Sequence, residues 1–244
     1  MKITVIGSNS KGNCLILESD AGVLLLDAGV PFKKIQEALK FDLTNVKAAL
    51  ITHEHKDHSK AVPDLIARGI KCVMSKGTYL GIDDVSGRNA MIVDKFDTFD
   101  IGKFTILPFD AEHDALEPFG YLIQDNISGE KVVFLTDSFY CKYTFKDVQY
   151  YIVECNYIAE ILESNVEDGI VTKSQADRLW NSHFSLYHLK KFFAGKNNIQ
   201  GVVLIHLSDL NSDEERMVYE IQSVVGCPVY AAQKGQILEL GIQF

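Results

Sequence analysis

The sequence predicts an α/β fold, and three observations predict it. Short apolar runs rich in β-branched residues recur along the chain, at 1–7, 23–26, 48–51, 104–107, 132–135, 151–153 and 202–205. Segments with helical spacing lie between several of them. Titratable residues gather at the ends of the runs: Asp27, the stretch 53–58, Asp137, Glu154 and His206. No Pro/Ser/Gly-rich linker, repeat or low-complexity tract divides the chain, so residues 1–244 are expected to form one domain of mixed strands and helices.

The elements follow in order. Run 1–7 opens a first strand and leads into the Gly/Ser-rich turn Gly7-Ser8-Asn9-Ser10-Lys11-Gly12-Asn13. Such a turn can offer backbone donors to phosphate, but a plain hairpin turn explains the same composition and is the preferred reading. Strand 23–26 ends at Asp27. Pro31, a favoured first-turn residue, begins a helix whose Phe32, Ile35 and Leu39 share a face. Val62, Leu65 and Ile66 mark a second helix after His58. Residues 81–97 show no clear period and read as a surface excursion. Strands 104–107, 132–135, 151–153 and 202–205 follow, with Ser185 placed to cap a helix at 186–193. Met217, Ile221, Val224 and Val225 form a last helical stripe, begun by Asp213-Glu214-Glu215, whose charges suit a helix N-terminus.

Composition narrows the function classes. The 244 residues are 47% hydrophobic and 23% charged, which excludes a disordered chain. No stretch approaches the ~18 uninterrupted apolar residues of a membrane helix, and no signal-peptide pattern opens the chain, so a cytoplasmic location is expected. Five cysteines at 14, 72, 141, 155 and 227, none in a Cys-x-x-Cys pair, read as buried small hydrophobes in a reducing compartment. The 33 acidic against 24 basic residues give a net charge of −9. Long nucleic acid usually demands a basic surface, so a small anionic nucleotide suits this balance better.

The strongest local signal is Thr52-His53-Glu54-His55-Lys56-Asp57-His58, directly after strand 48–51. Three imidazoles and two carboxylates so close together cannot be buried without partners. On a loop leaving a strand, His53 and His55 can face one metal while Asp57 and His58 face another. Imidazole with carboxylate is the mixed nitrogen and oxygen set that suits zinc, with manganese or iron as competitors. The bland alternative is a solvated histidine-rich turn.

This segment resembles the His-x-His-x-Asp-His signature of the metallo-β-lactamase superfamily, and the other motifs of that superfamily follow in order. Asp27 matches the aspartate that supports the metal loop from behind, His113 the third-motif histidine, Asp137 the aspartate that bridges two metals, and His206 the last ligand. The resemblance covers nearly the whole chain. It implies an αββα sandwich, two mixed β-sheets flanked by helices, with two divalent metal ions at one edge. One site would use His53, His55, His113 and Asp137, the other Asp57, His58, Asp137 and His206. Whether His183 or His206 reaches the second site stays open here; the strand before His206 favours that residue.

Within the superfamily, three further stretches resemble RNase Z-like and YycJ-like phosphodiesterases: His206-Leu207-Ser208, Ser182-His183-Phe184-Ser185, and Glu154 in Val153-Glu154-Cys155-Asn156. The turn at 7–13 is also similar to that of YycJ-like chains. The resemblance implies that Glu154 orients His183 to protonate the leaving oxygen and that Asp57 or Asp137 holds the proton of the nucleophile. The alternative for His183 is an exposed position ahead of the helix that Ser185 caps. Among aromatics, Phe139, Tyr140, Tyr143, Tyr157 and Trp180 are candidates to stack on a base, though such spacing is more often core. No long basic arm and no inserted cap domain is present, which points to compact members such as the phage anti-Pycsar proteins. The resulting expectation is a homodimeric hydrolase of 3′,5′-cyclic nucleotides, in a viral setting a counter-defence enzyme. A YycJ-like DNA or RNA nuclease, a glyoxalase-type thioester hydrolase and a non-enzymatic metal-binding scaffold are the alternatives.

Overall fold

The computed structural model describes residues 1–241. Its strands are β1 (Lys2–Gly7), β2 (Cys14–Ser19), β3 (Gly22–Leu26), β4 (Val46–Leu50), β5 (Cys72–Met74) and β6 (Ala90–Ile92), then β7 (Phe99–Ile101), β8 (Phe104–Asp110), β9 (Phe119–Asp125), β10 (Lys131–Leu135), β11 (Tyr150–Glu154), β12 (Gly201–Ile205) and β13 (Val229–Ala231), with β14 (Ile237–Glu239) last. Helices α1 (Phe32–Ala38), α2 (Lys56–Ser59), α3 (Val62–Ala67) and α4 (Lys76–Gly81) belong to the first half, and α5 (Ala159–Glu167), α6 (Lys173–Ser182), α7 (Leu186–Phe193) and α8 (Glu214–Val225) to the second.

The strands form two seven-stranded sheets. One has the order β14-β1-β2-β3-β4-β5-β6, the other β13-β12-β11-β10-β9-β8-β7. Both are mixed: β3 to β6 run parallel, as do β10 to β13, while the remaining pairs are antiparallel. The side-chain period of two explains why the central strands are apolar throughout. Leu24 and Leu26 of β3, Val132 and Phe134 of β10, and Tyr150 and Ile152 of β11 enter the core between the sheets. Their neighbours turn outward. Leu25 packs with Phe32, Ile35, Val62 and Leu65 from α1 and α3, and Val133, Tyr151 and Val153 pack with Leu189, Phe193, Met217 and Ile221 from α7 and α8. Each sheet is thus covered on both faces, giving the αββα sandwich.

Three local expectations need correction. Residues 81–97 contain a strand, β6, whose three residues pair in parallel with β5; so short a run leaves no period to read. Pro31 stands before α1 in extended conformation instead of inside its first turn. Val224, in the last turn of α8, is exposed, and Val225 packs against the outer core instead. Cys141 is half-buried, whereas the other four cysteines are buried, and all five are free thiols. Among the described residues, no helix is long and apolar enough to cross a membrane.

Candidate metal centre

Adjacent parallel strands end at one edge of a sheet, so residues just past them meet. In the first sheet β3 and β4 lie side by side, with Leu26 opposite Leu50. They deliver Asp27 and the loop 52–58 to the same place. Asp27 is wholly buried and accepts hydrogen bonds from the Thr52 backbone N–H at 2.8 Å and the Thr52 hydroxyl at 2.9 Å. Its other oxygen lies 2.7 Å from His58 Nδ1. A carboxylate there holds the proton on Nδ1 and turns Nε2 toward the cluster. The loop is clamped from beneath by the N–H of Asn13 on the Asp57 carbonyl, at 2.7 Å, and the N–H of Ala28 on the His58 carbonyl, at 2.8 Å. Gly29 makes that approach possible: a Cβ there would sit 1.6 Å from the Asp57 carbonyl oxygen.

The second sheet supplies the rest. Strands β10, β11 and β12 are parallel neighbours, and Asp137, Glu154 and His206 lie at their ends. The loop after β8 brings His113. Asp137 is the hub: its Oδ2 lies 3.3 Å from His58 Nε2, 3.7 Å from His113 Nε2 and 3.8 Å from His53 Nε2, and its Oδ1 lies 3.2 Å from His206 Nδ1. His113 Nδ1 is 3.0 Å from the Ser182 carbonyl. A carbonyl only accepts, so the proton sits on Nδ1 and Nε2 faces the cluster. Potential ligand atoms group as His53, His55 and His113; as His53, His58 and Asp137; and as Asp57, His58 and His206, within 4.8 Å in each set. Asp27, Asp137 and His206 all take left-handed backbone, with φ of 59°, 46° and 55°. Asp and His tolerate that region better than most residues, and such conformations cluster at functional sites.

The donor chemistry fits a pair of divalent cations. His53 Nε2 and His206 Nε2 are buried with no hydrogen-bond partner among the described residues, a cost that a cation removes. Burial and the neighbouring His58 charge hold His53 well below the usual histidine range, so its lone pair is available. Burial likewise lowers His113. Burial raises Asp137, but the surrounding His206, His58 and His53 outweigh it and keep the carboxyl ionised.

Behind this cluster sits a second pair. Glu154 shares the inter-sheet face of β11 with Tyr150 and Ile152 and is wholly buried. Its Oε1 lies 2.6 Å from His183 Nδ1 and 2.7 Å from His206 Nδ1, so it orients both rings. Its Oε2 accepts from the backbone N–H groups of Phe184 at 3.1 Å and Ser138 at 3.2 Å. Burial lowers the His183 pKa, but Glu154 outweighs it and lifts the imidazolium to about 9. His183 follows the last turn of α6 and is 7% exposed. The alternative of an exposed His183 is therefore wrong, although Ser185 does cap α7, accepting from the His188 N–H at 3.1 Å.

All nine residues singled out as ligands or proton carriers thus come together: His53, His55, Asp57, His58, His113, Asp137, Glu154, His183 and His206. Two contributors were not foreseen. Asn13 Nδ2 lies 2.9 Å from His58 Nε2, and the Ser8 hydroxyl oxygen accepts from the His206 backbone N–H at 2.9 Å. Both belong to the Gly/Ser-rich turn, whose composition alone did not link it to the histidines.

The cluster opens into a cleft of about 880 Å³. One wall is the α5–α6 hairpin, through Ile170, Val171, Gln175, Arg178 and Leu179; the other is the segment 207–211. None of Phe139, Tyr140, Tyr143, Tyr157 or Trp180 lines it. Tyr157 is buried in a separate small core with Leu162, Val171 and Ala176, and Tyr143 packs edge-on to Phe109. The cleft walls are aliphatic and polar, with Ile170 and Leu210 among the apolar lining residues.

A two-sheet sandwich with a histidine and aspartate cluster at one strand edge defines a class of metal-binding proteins. The description "Beta-lactamase superfamily domain" matches residues 23–163, and the chain belongs to that superfamily. It is 32% identical over 179 residues to exodeoxyribonuclease WalJ of Streptococcus pneumoniae and 28% identical over 175 residues to exodeoxyribonuclease YycJ of Bacillus anthracis. The matches cover 67% and 66% of this chain, and the chain spans 65% of the length of either relative. In three dimensions it resembles the metallo-beta-lactamase fold protein YhfI of Bacillus subtilis, with a TM-score of 0.75 and 17% identity over 97% of this chain and 98% of that one. The short form of human tRNase Z follows with 0.63 and 15% identity over 99% and 100%.

Proposed function

We propose that the chain is a metal-dependent phosphodiesterase that cuts nucleic-acid strands. The observation that carries this reading is the position of Asp137 between two histidine groups, with the Glu154–His183 pair opening on the same cleft. In this assignment His53, His55, His113 and Asp137 hold one divalent ion, and Asp57, His58, Asp137 and His206 the other. The nitrogen-rich set favours zinc, with manganese or iron as competitors. When bound, such a pair supplies positive charge to phosphate oxygens and brings the pKa of a water toward neutrality.

The protein's own residues do the rest. In this reading Asp57, partly open to the cleft, holds the proton of the attacking water, and Asp27 fixes the adjacent His58. His183 is the proton donor to the leaving oxygen, an assistance worth ~10²–10⁴-fold. Glu154 keeps it charged and aimed. A thioester does not need a donor on that side, so the buried Glu154–His183 pair supports phosphodiester cleavage over the glyoxalase type. The names of the relatives support a polymeric substrate.

A second reading, hydrolysis of 3′,5′-cyclic nucleotides to linear ones, is favoured by the net charge of −9 and by a cleft whose only lysine and arginine, among the described residues, are Lys56 and Arg178. A substrate panel decides. Metal-loaded protein should degrade a labelled single-stranded oligonucleotide and lose that activity on chelation. Turnover confined to cyclic mononucleotides would replace the strand reading with the second one, and an undiminished His183→Ala enzyme would return the thioester reading.

A further inference from the structure

The turn at residues 8–11 carries more than its buttressing of the cluster. The cleft over the metal centre has a neighbour, a depression of about 510 Å³, and the two share Leu207, Ser208 and Asp209 in their walls. Ser10 lines the cleft, whereas Ser8 and Asn9 line the depression. The turn therefore crosses the ridge between them.

Two internal hydrogen bonds close the turn. The Lys11 N–H donates to the Asn9 side-chain oxygen at 3.0 Å and the Gly12 N–H to the Asn9 carbonyl at 2.9 Å. The Ser8 hydroxyl oxygen is engaged by the His206 N–H, which leaves its own proton free to donate. The backbone amides of Asn9 and Ser10 donate to no acceptor among the described residues. Lys11 is 82% exposed at the same place, its ammonium 3.8 Å from Asp209. Successive free amides, a hydroxyl and an ammonium are the donors that an anion such as phosphate accepts from. Farther out, Lys234 adds a cation, and the Glu214 carboxylate is engaged by Gln233 at 2.8 Å.

We propose that this turn is a phosphate saddle. A strand whose scissile phosphate lies at the metal centre passes its next phosphate over the Asn9 and Ser10 amides and Lys11, and its next nucleotide enters the second depression. The inference rests on the phosphodiesterase reading and deepens it: the substrate is a single strand of at least three nucleotides. A cyclic mononucleotide has no second phosphate and gains nothing from the turn.

The test uses the metal-loaded full chain and four substrates: bis(4-nitrophenyl) phosphate, a dinucleotide, a single-stranded hexanucleotide, and that hexanucleotide with an uncharged methylphosphonate next to the cleaved phosphate. The expected result is a kcat/KM about tenfold or more higher for the hexanucleotide than for the dinucleotide, the size of one charge-assisted contact. The methylphosphonate should remove most of that gain. Lys11→Ala should lower hexanucleotide kcat/KM roughly threefold and reduce the slope of its logarithm against log salt by about one. Hydrolysis of the small diester with equal rates on two and six nucleotides overturns the saddle and leaves the phosphodiesterase standing. So does a length gain that survives both the methylphosphonate and Lys11→Ala. No cleavage of any of the four overturns both.

Discussion

The two halves of the metal centre are built in opposite ways. The half on the first sheet is contiguous: His53, His55, Asp57 and His58 come from one loop, held by a single buried carboxylate, Asp27, and by the close approach of Gly29. The half on the second sheet is dispersed: His113, Asp137, Glu154, His183 and His206 span almost a hundred positions; Asp137, Glu154 and His206 meet because β10, β11 and β12 lie in register, while His113 arrives after β8 and His183 after α6. The first half is set by local chain geometry, the second by strand order. Mutations should therefore separate the halves by what they disturb.

The largest effect is expected where the halves join. Asp137 touches histidines from both, so Asp137→Ala should reduce hydrolysis on the order of 10³-fold, the several kcal/mol typical of metal assistance. Metal content measured by plasma spectrometry should fall below two ions per chain. Full metal content with full activity would break the picture of a shared hub.

The supports come next, and they sharpen the contrast. Asp27→Asn and Glu154→Gln each alter a buried carboxylate that fixes ring orientation, a change that typically costs 10–100-fold in metal affinity or activity. Asp27→Asn should act on metal affinity, because it meets only the contiguous loop. Glu154→Gln should act mainly on turnover, because it loosens His183 as well as His206. Competition with a chromogenic chelator, run beside kcat, checks the split. Identical profiles for the two variants would mean that the halves are not separable.

The same contrast explains what the sequence could disclose. Loop 52–58 announces itself, because three imidazoles in six positions have no apolar explanation. Asp137 and His206 carry little information alone and become legible only through their order along the chain and their place after apolar runs. The pairing of Glu154 with His183 was legible only through resemblance, since the 28 positions between them hold two helices. Strand β6 was missed because three residues show no period. The parts played by Ser8 and Asn13 were missed because a turn composition does not say what the turn leans on. The aromatic cluster failed for the opposite reason: proximity in sequence after Asp137 suggested a shared wall, but none of those rings lines the cleft, and Tyr157 and Trp180 belong to a small core while Tyr143 packs on Phe109.

Gly29 tests the contiguous half through its backbone. Gly29→Ala forces a methyl group onto the Asp57 carbonyl and should destabilise the metal-free fold by about 1–3 kcal/mol, as overpacking does. For a chain of this size that lowers Tm by about 3–10 °C, measurable by calorimetry on chelated protein. An unchanged Tm would show that the loop 52–58 can shift without loss.

The smallest effect is expected at the surface of the dispersed half. Asp110, at the end of β8 and three residues before His113, receives hydrogen bonds from Lys142 Nζ at 2.8 Å and from the Tyr143 hydroxyl. Partial burial raises its pKa, but those two donors outweigh it and bring it down to about 2. An unfolded aspartate titrates near 3.9, so this pair stabilises the fold fully above about pH 4 and ceases to do so as pH falls toward 2. Lys142 is 44% exposed, which limits its contribution to about 0.2–1 kcal/mol. Lys142→Ala should therefore lower urea stability slightly at pH 7, with the difference from the unaltered chain shrinking as Asp110 protonates between pH 4 and 2. A difference that grows with acidification would give the linkage the wrong sign. A loss at pH 7 as large as that of Gly29→Ala would mean that the strand leading to His113 depends on its surface clip instead of on the sheet beneath it.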